Sequence, residues 1–454
     1  MAKPAGTVNQ VLSLMTVATN EMALGIANGW VAPTLNGLRT PGGEFSVTME
    51  ESSWIGSLDQ FGKIFGAIFT ALTLDIVGRK ILLAASAFVL FAIWVIVMFT
   101  RSVPILYVMR IMLGVFAGLN DGTNSNYLAE NSSPYIRGVF GAICITLYYV
   151  GVLVEFTIAT YCSYSNTALI NVIITFLAFL PVIWIKEPVQ FLLMKGKIAK
   201  AEKNFAWLHG SNTNSEEIKV EFERIKQNAQ AENLKKSSFK KTITAPANYK
   251  SMFIMITIYA LAGCTGYFPV MSFASIAFSA SDILTPNEFT VLFGIAQTLV
   301  VAVTSFVISR FSRRTIILIS FSLIAASHAV TTGLYYVNSN VVAIPYFPWL
   351  IFASITFYAS VYAFVYPAVF VIRGELFPLS VKATGGCLSV IAYSATSFLT
   401  TKMFLYISNA YGIEANFLLF TFLTLLTILF VYIFLPETKN KSLIEIQEML
   451  EKND

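Results

Sequence analysis

This chain of 454 residues is poor in charge, histidine and cysteine. Only 12% of it is Asp, Glu, Lys or Arg, against 56% hydrophobic residues, and its mean hydropathy is +0.69. Those proportions exclude an ordinary soluble domain. Two histidines and four cysteines, with no phosphate-cradling loop and no paired nucleophile and base, leave no metal cluster and no catalytic constellation to build on. No enzyme activity and no cofactor are expected. Cys144, Cys264 and Cys387 fall in apolar stretches and Cys162 beside one, so no disulfide framework is expected.

What the chain has instead is apolar runs of about twenty residues, the length that spans a hydrocarbon core as a helix. Twelve are read, at 11–35, 55–76, 81–100, 104–127, 139–161, 168–185, 252–279, 289–309, 315–337, 346–372, 385–408 and 416–435. A polar block over 186–250 parts them six and six. In lipid such runs satisfy their backbone only as helices. The expected fold is an all-α polytopic membrane protein with twelve transmembrane helices in two six-helix bundles. Its units are an N-terminal bundle (1–185), a central loop with short helices (186–250), a C-terminal bundle (251–435) and a tail (436–454).

Charge orients the spans. Of the 30 Lys and Arg, 25 lie in the tails and alternate loops that share a side with 186–250, and only Arg39 and Arg101 lie in loops opposite. The positive-inside rule puts both termini and the central block in the cytoplasm. The net charge of +5 then describes a basic face toward anionic lipid headgroups, not a nucleic-acid site. The first run is too long for a signal peptide and is expected to stay as an anchor. Asn131-Ser132-Ser133 fits the glycosylation pattern but falls on the cytoplasmic side. Within the central block, Ser215-Glu216-Glu217 marks a helix start and Ile218, Phe222 and Ile225 form one apolar stripe, which suits a short helix lying against the bundle.

The loop after the second run reads Asp75-Ile76-Val77-Gly78-Arg79-Lys80, and the loop after the eighth reads Ser309-Arg310-Phe311-Ser312-Arg313-Arg314. Like loops at like places in two six-run halves indicate an internal repeat. Carboxylates and guanidiniums at helix ends can bridge neighbouring helices and release them, which suits a gate.

Further motifs extend the pattern. They are Glu130-Asn131-Ser132-Ser133-Pro134 with Arg137-Gly138, Glu187-Pro188-Val189-Gln190-Phe191-Leu192-Leu193, Gly374-Glu375-Leu376-Phe377-Pro378, and Pro436-Glu437-Thr438-Lys439 with Leu443 and Glu445-Ile446-Gln447. With the Asp75–Lys80 loop, these resemble, collinearly, the loop motifs of the sugar porter family of the major facilitator superfamily, most of all its insect facilitated trehalose transporters. The resemblance implies two six-helix bundles around a central site, alternating access and a plasma-membrane location. It implies a cytoplasmic gate at Asp75, Arg79, Glu130, Arg137, Glu187, Arg310, Arg313, Glu375, Lys382 (where the family has Arg) and Glu437. It also implies a substrate site lined by Tyr259, Thr265, Gln297, Phe370 and Tyr393.

The sugar-gripping positions have changed most. The family's Q-Q-L-S-G-I-N reads Tyr259-Ala260-Leu261-Ala262-Gly263-Cys264-Thr265, its fifth-span Gln is Ile145, its G-P-x-P-W reads Tyr366 to Phe370, and its Asn-Trp pair is Tyr393-Ser394. Gln297 alone supplies an amide where the family has one. The acid of proton-coupled members is matched by Ala27, with Asn28 beside it, so facilitated, proton-independent movement is expected; Glu21, nearby in the same run, is the competing acid. Asp59 and Lys63 have i, i+4 spacing to pair on one helical face, Arg110 has Glu21, Asp121 and Glu155 as candidate partners, and His328 is expected in a packing role. Gly62/Gly66 and Gly114/Gly118 have the spacing of close helix contact. The expected function is a sugar carrier for a hexose or a disaccharide such as trehalose; a carrier of another small solute, or a transport-inactive sensor, are the alternatives. Substrate and membrane lipid are the expected partners, with no obligate protein partner.

Overall fold

The computed structural model describes residues 4–39, 44–132, 134–210, 219–227, 246–278, 281, 283–307, 312–377, 381–437, 445 and 449, and among them there is no strand. The first half comprises α1 (Pro4–Gly29), α2 (Val31–Arg39), α3 (Met49–Val77), α4 (Arg79–Phe99), α5 (Val103–Asn131), α6 (Pro134–Tyr161) and α7 (Tyr164–Phe179, running into a 3₁₀ turn at Leu180–Ile183). Short helices α8 (Val189–Met194) and α9 (Ile198–Leu208) follow, and 219–227 are helical. The second half comprises α10 (Pro246–Gly263), α11 (Tyr267–Ala277), α12 (Pro286–Val307), α13 (Arg313–Asn340), α14 (Phe347–Leu376), α15 (Lys382–Tyr411) and α16 (Ile413–Phe434).

Eleven helical stretches among the described residues are long and apolar enough to cross a membrane, five before the central segment and six after it. The twelfth crossing is α1 with α2, whose sequence is diluted by Asn20, Glu21 and Asn28. Local chemistry fixes the ends: Thr48 and Glu51 cap α3 reciprocally, with bonds of 2.7 and 3.2 Å, and Gly78 turns the chain at φ 106° between α3 and α4.

Two crossings expected as single helices are broken. The first divides at Trp30. The seventh divides at Cys264–Gly266, where Gly266 takes the left-handed φ of 85° that lets α11 restart at an angle. A break inside a membrane helix leaves carbonyls without donors. Here the Thr265 carbonyl accepts from the Tyr358 hydroxyl at 3.1 Å and lies 3.0 Å from His328 Nε2, so His328 holds the break together within a ring of aromatics.

Helix pairing repeats between the halves. The pairs α3–α5, α1–α6, α4–α7 and α4–α5 recur as α12–α14, α10–α15, α13–α16 and α13–α14, and the halves meet through α3–α15 and α6–α12. Glycine makes the closest approach: Gly62 and Gly66 lie over the Ile111 and Val115 carbonyls, and Gly114 and Gly118 over those of Asp59 and Lys63. α1 packs likewise on α6, Gly25 against the Tyr148 carbonyl and Gly151 against that of Met22. In the central segment, Phe222 packs with Val189, Leu192, Ala201 and Phe205, and Ile225 joins them; Ile218 and the expected helix start at 215–217 lie outside the described residues. Asn9 Nδ2 donates to the Trp207 carbonyl at 2.6 Å and ties this cluster to α1.

Candidate substrate site and gates

At mid-height, where the halves meet, tyrosines gather. The Tyr149 hydroxyl on α6 bonds that of Tyr267 on α11 at 2.8 Å, joining the two halves. Tyr267 stacks on Tyr362 with centroids 4.3 Å apart, and the Tyr362 hydroxyl lies 3.2 Å from that of Tyr393. Tyr393 in turn meets Tyr259 edge to face at 6.4 Å. Two of the five expected site residues, Tyr259 and Tyr393, are thus in one cluster. Thr265 is buried at the α10–α11 break with its hydroxyl donating to Ala262 at 2.7 Å. Gln297 is 1% exposed, and neither its amide nitrogen nor its amide oxygen has a partner in the structure. Its neighbour Thr298 donates to the Tyr149 carbonyl at 3.2 Å, which places α12 beside the cluster. Phe370 is apart from the tyrosines' buried core: it is 40% exposed and lies under the Arg373 guanidinium at 4.7 Å. Tyr149, Tyr267 and Tyr362 are additions that the family motifs do not point to; their signal in the sequence is hydroxyl-bearing aromatic residues at positions an apolar span does not require.

At the end that carries the central segment, here called the basic end, two matching networks lie one in each half. Arg79 pairs with Glu130 at 2.8 Å and with Asp75 at 3.0 Å, and its guanidinium faces the Phe191 ring at 5.1 Å. Glu187 accepts from the backbone N–H groups of Arg79 and Lys80, closing the N-terminus of α4 where the helix dipole favours an anion. Burial pushes its carboxyl above the usual range, while those N–H donors pull the other way. In the second half Glu437 repeats the role at the N-terminus of α13, accepting from the Ser312 hydroxyl and from Arg314 N at 3.2 Å. Arg313 and Glu375, 3.7 Å apart, repeat Arg79 and Glu130. Each of these pairs ties helices of one half. Arg310 lies outside the described residues, as do the side chains of Arg137 and Lys382.

The opposite, far end is closed between the halves. Lys402 on α15 donates to Ser53 Oγ at 2.6 Å and sits 3.8 Å from the Trp54 ring on α3. Asn36 on α2 donates to Asn287 at 2.9 Å, and Phe273 stacks on Phe404 while filling the space above Gly56.

The intramembrane charges depart from the sequence expectation. Asp59 and Lys63 do not pair with each other. Asp59 takes Arg110 at 2.9 Å and Lys63 takes Asp121 at 2.6 Å, because the glycine contacts press α3 and α5 together and set partners across the interface closer than along one helix. Arg110, 2% exposed, also donates to the Ile55 carbonyl at 2.8 Å and to that of Ala27 at 3.4 Å. Glu21 accepts from Asn124 at 2.7 Å, and Glu155 from Asn171 at 3.0 Å.

Two like halves, closed together at one end and enclosing a polar, aromatic site where they meet, are the architecture of a major facilitator membrane carrier. The chain belongs to the sugar (and other) transporter family, whose model matches residues 6–450. It is similar to the facilitated trehalose transporter Tret1 of Apis mellifera ligustica, 24% identical over 442 residues that cover 96% of this chain and 87% of the relative. It is also similar to that of Polypedilum vanderplanki, 25% identical over 452 residues covering 98% and 89%. Among solved structures it resembles the inward-open xylose transporter XylE from E. coli, with a TM-score of 0.78 at 16% identity over 96% of this chain and 98% of that one. The proton:xylose symporter XylE bound to 6-bromo-6-deoxy-D-glucose gives 0.77 at 17%, over 98% and 100%.

Proposed function

We propose that this protein is a plasma-membrane carrier that moves a sugar, a hexose or a disaccharide such as trehalose, by facilitated alternating access, and that it performs no catalysis. Both termini and residues 186–250 face the cytoplasm in this reading, so the basic end is the inner one, and the far-end closure makes the described state inward-facing. The bundles, 1–185 and 251–435, act as two bodies about the tyrosine cluster.

The observation that carries this reading is Gln297. A fully buried amide with both of its polar atoms unpartnered costs about 1–3 kcal/mol per lost bond unless something arrives to meet it. A sugar hydroxyl both donates and accepts, which suits an amide, and the paired tyrosine hydroxyls of the cluster can exchange one another for substrate in the same way. Movement independent of protons is supported by Ala27, which offers a carbonyl to Arg110 but no titratable group, and by Asn28, which donates to Tyr148 at 3.0 Å. A carrier of a non-sugar solute is the second reading, favoured by the tyrosines that stand where the family has amides. Uptake of a panel of labelled sugars by oocytes expressing the protein, with and without a protonophore, is the test. Saturable sugar uptake that survives the protonophore and falls about tenfold or more in Gln297→Ala is expected. Uptake that accumulates sugar above equilibrium and collapses with the protonophore refutes the facilitated mechanism, and no sugar uptake at all refutes the substrate class.

A further inference from the structure

Glu155 is a carboxylic side chain sealed inside the first half with no cation beside it. It sits about two turns inside the Tyr161 end of α6, and Asn171 meets it from about two turns inside the Tyr164 start of α7. Both are 0% exposed, so neither water nor lipid reaches them. The Asn171 amide nitrogen donates to Glu155 Oε1 at 3.0 Å. Among the described residues that is the only hydrogen bond to the carboxyl, and no Lys, Arg or His nitrogen lies within 4.0 Å of it. The two atoms left over, Glu155 Oε2 and Asn171 Oδ1, have no partner. From α1, Gly29 closes on Glu155, and a Cβ there would stand 3.1 Å from Glu155 Cβ. From the second half, Phe293 and Gly294 of α12 meet α6 at Leu153 and Phe156 and bring no charge.

The pair's two states of ionisation differ by one hydrogen. As a carboxylate, Glu155 is an uncompensated charge in a dry interior, and Oε2 and Oδ1 are two acceptors without a donor. A buried acid with no counter-charge takes up a proton instead. As a carboxylic acid it gains one O–H donor. That donor, on Oε2, meets the free acceptor Oδ1, so a single bond satisfies both leftover atoms. Acid and amide then hold each other by two hydrogen bonds, N–H to Oε1 and O–H to Oδ1. The indole N–H of Trp30, next to Gly29, is also unpartnered and bonds neither atom.

We propose that Glu155 is a proton-binding site: Oε2 takes a proton from solvent as the chain folds and keeps it at neutral pH, and the acid–amide pair so formed clamps α6 to α7. This proton is a fixed part of the fold, separate from any cargo. The clamp steadies the helix that presents Tyr149, Phe156 and Thr160 to the second half. Thermal denaturation of the purified full-length protein and of Glu155→Gln, compared from about pH 5 to about pH 7, tests it. The unfolded chain releases the proton at the ordinary glutamate value of about 4.3, while the folded chain keeps it. More protons are then bound folded than unfolded, and stability falls as pH rises through that window. Glutamine makes the same two bonds and has no proton to lose. The unfolding equilibrium of the wild type should shift toward the unfolded state, relative to Glu155→Gln, by about tenfold per pH unit. A constant difference between the two proteins overturns the proposal, because Glu155 then has the same charge folded and unfolded. Infrared difference spectra at neutral pH give an independent reading. A carboxylic-acid carbonyl band that Glu155→Gln removes is expected; without it Glu155 is a carboxylate, reached by water from the Trp30 side, and the proposal falls. If Glu155→Gln does not fold, Asn171→Leu takes its place: an acid band that moves when Oδ1 is lost supports the pair, and an unmoved spectrum overturns it.

Discussion

Gly114→Ala probes the tightest contact in the first half. A Cβ at Gly114 would stand 2.0 Å from the Asp59 carbonyl oxygen and 2.7 Å from Lys63 N, so it falls about 1.4 Å short of the 3.4 Å at which ordinary contact begins. Both obstacles are backbone, which cannot swing aside as a side chain does; α3 and α5 must separate. Overpacking of this kind costs about 1–3 kcal/mol. The same separation pulls on Arg110–Asp59 and Lys63–Asp121, the pairs of 2.9 and 2.6 Å that cross this interface. Breaking a buried pair adds about 3–5 kcal/mol, because it strands a charge. Gly141, where an added methyl would meet nothing within 4 Å, is the control: Gly141→Ala should be neutral or stabilising by up to about 1 kcal/mol through helix propensity. Thermal denaturation of the detergent-solubilised protein, followed by size-exclusion fluorescence, is the assay. Gly114→Ala should melt at least ~3 °C lower and Gly141→Ala no lower than wild type. Equal melting of the two variants would refute the idea that glycine contact, and not helix content, holds α3 to α5.

Tags at either terminus should be reached only after permeabilisation and a tag in the 281–288 loop on intact cells; surface labelling of a terminus overturns the proposed orientation. Glu130→Gln removes the acid at 2.8 Å from Arg79 and should cut uptake several-fold while surface expression holds, and normal uptake would reduce that pair to surface decoration. Lys402→Met removes a cation–π contact worth about 0.5–2 kcal/mol, so a cysteine placed at Asn36 should be labelled from outside roughly 2- to 30-fold faster; an unchanged labelling rate counts against Lys402 as part of the far-end closure.

Span number and the halves were legible because lipid enforces one requirement on every crossing, about twenty apolar residues in a helix. The breaks at Trp30 and Gly266 were not, since a periodicity argument does not register a carbonyl that is satisfied from a distant helix, that of Ala27 by Arg110 and that of Thr265 by Tyr358 and His328. The charges of α3 and α5 misled for a related reason. Spacing of i, i+4 describes one helix alone, while Asp59 and Lys63 sit in a glycine seam where the other helix is nearer. The two glycine pairs were visible in the sequence, and reading them together with the charges they flank would have given Asp59–Arg110 and Lys63–Asp121. Of the expected substrate residues, Tyr259 and Tyr393 lie in the cluster because the family motifs carry their helix faces across. Tyr149, Tyr267 and Tyr362 were hidden because a departure from a family motif reads as a loss until the neighbouring side chains are seen.

The closure at the far end is made of Phe273 over Gly56, Trp54 against Phe398 and a lysine held over a ring, and among the described residues amides and hydroxyls stand in place of ion pairs between the halves. Opening that end hydrates aromatic surface, so the conformational step carries a heat capacity. The seal weakens as water is cooled, and its strength is almost indifferent to salt. Temperature therefore tilts the resting distribution between the two facings, with the outward one gaining in the cold, and the uptake rate should follow a curved rather than straight dependence on inverse temperature.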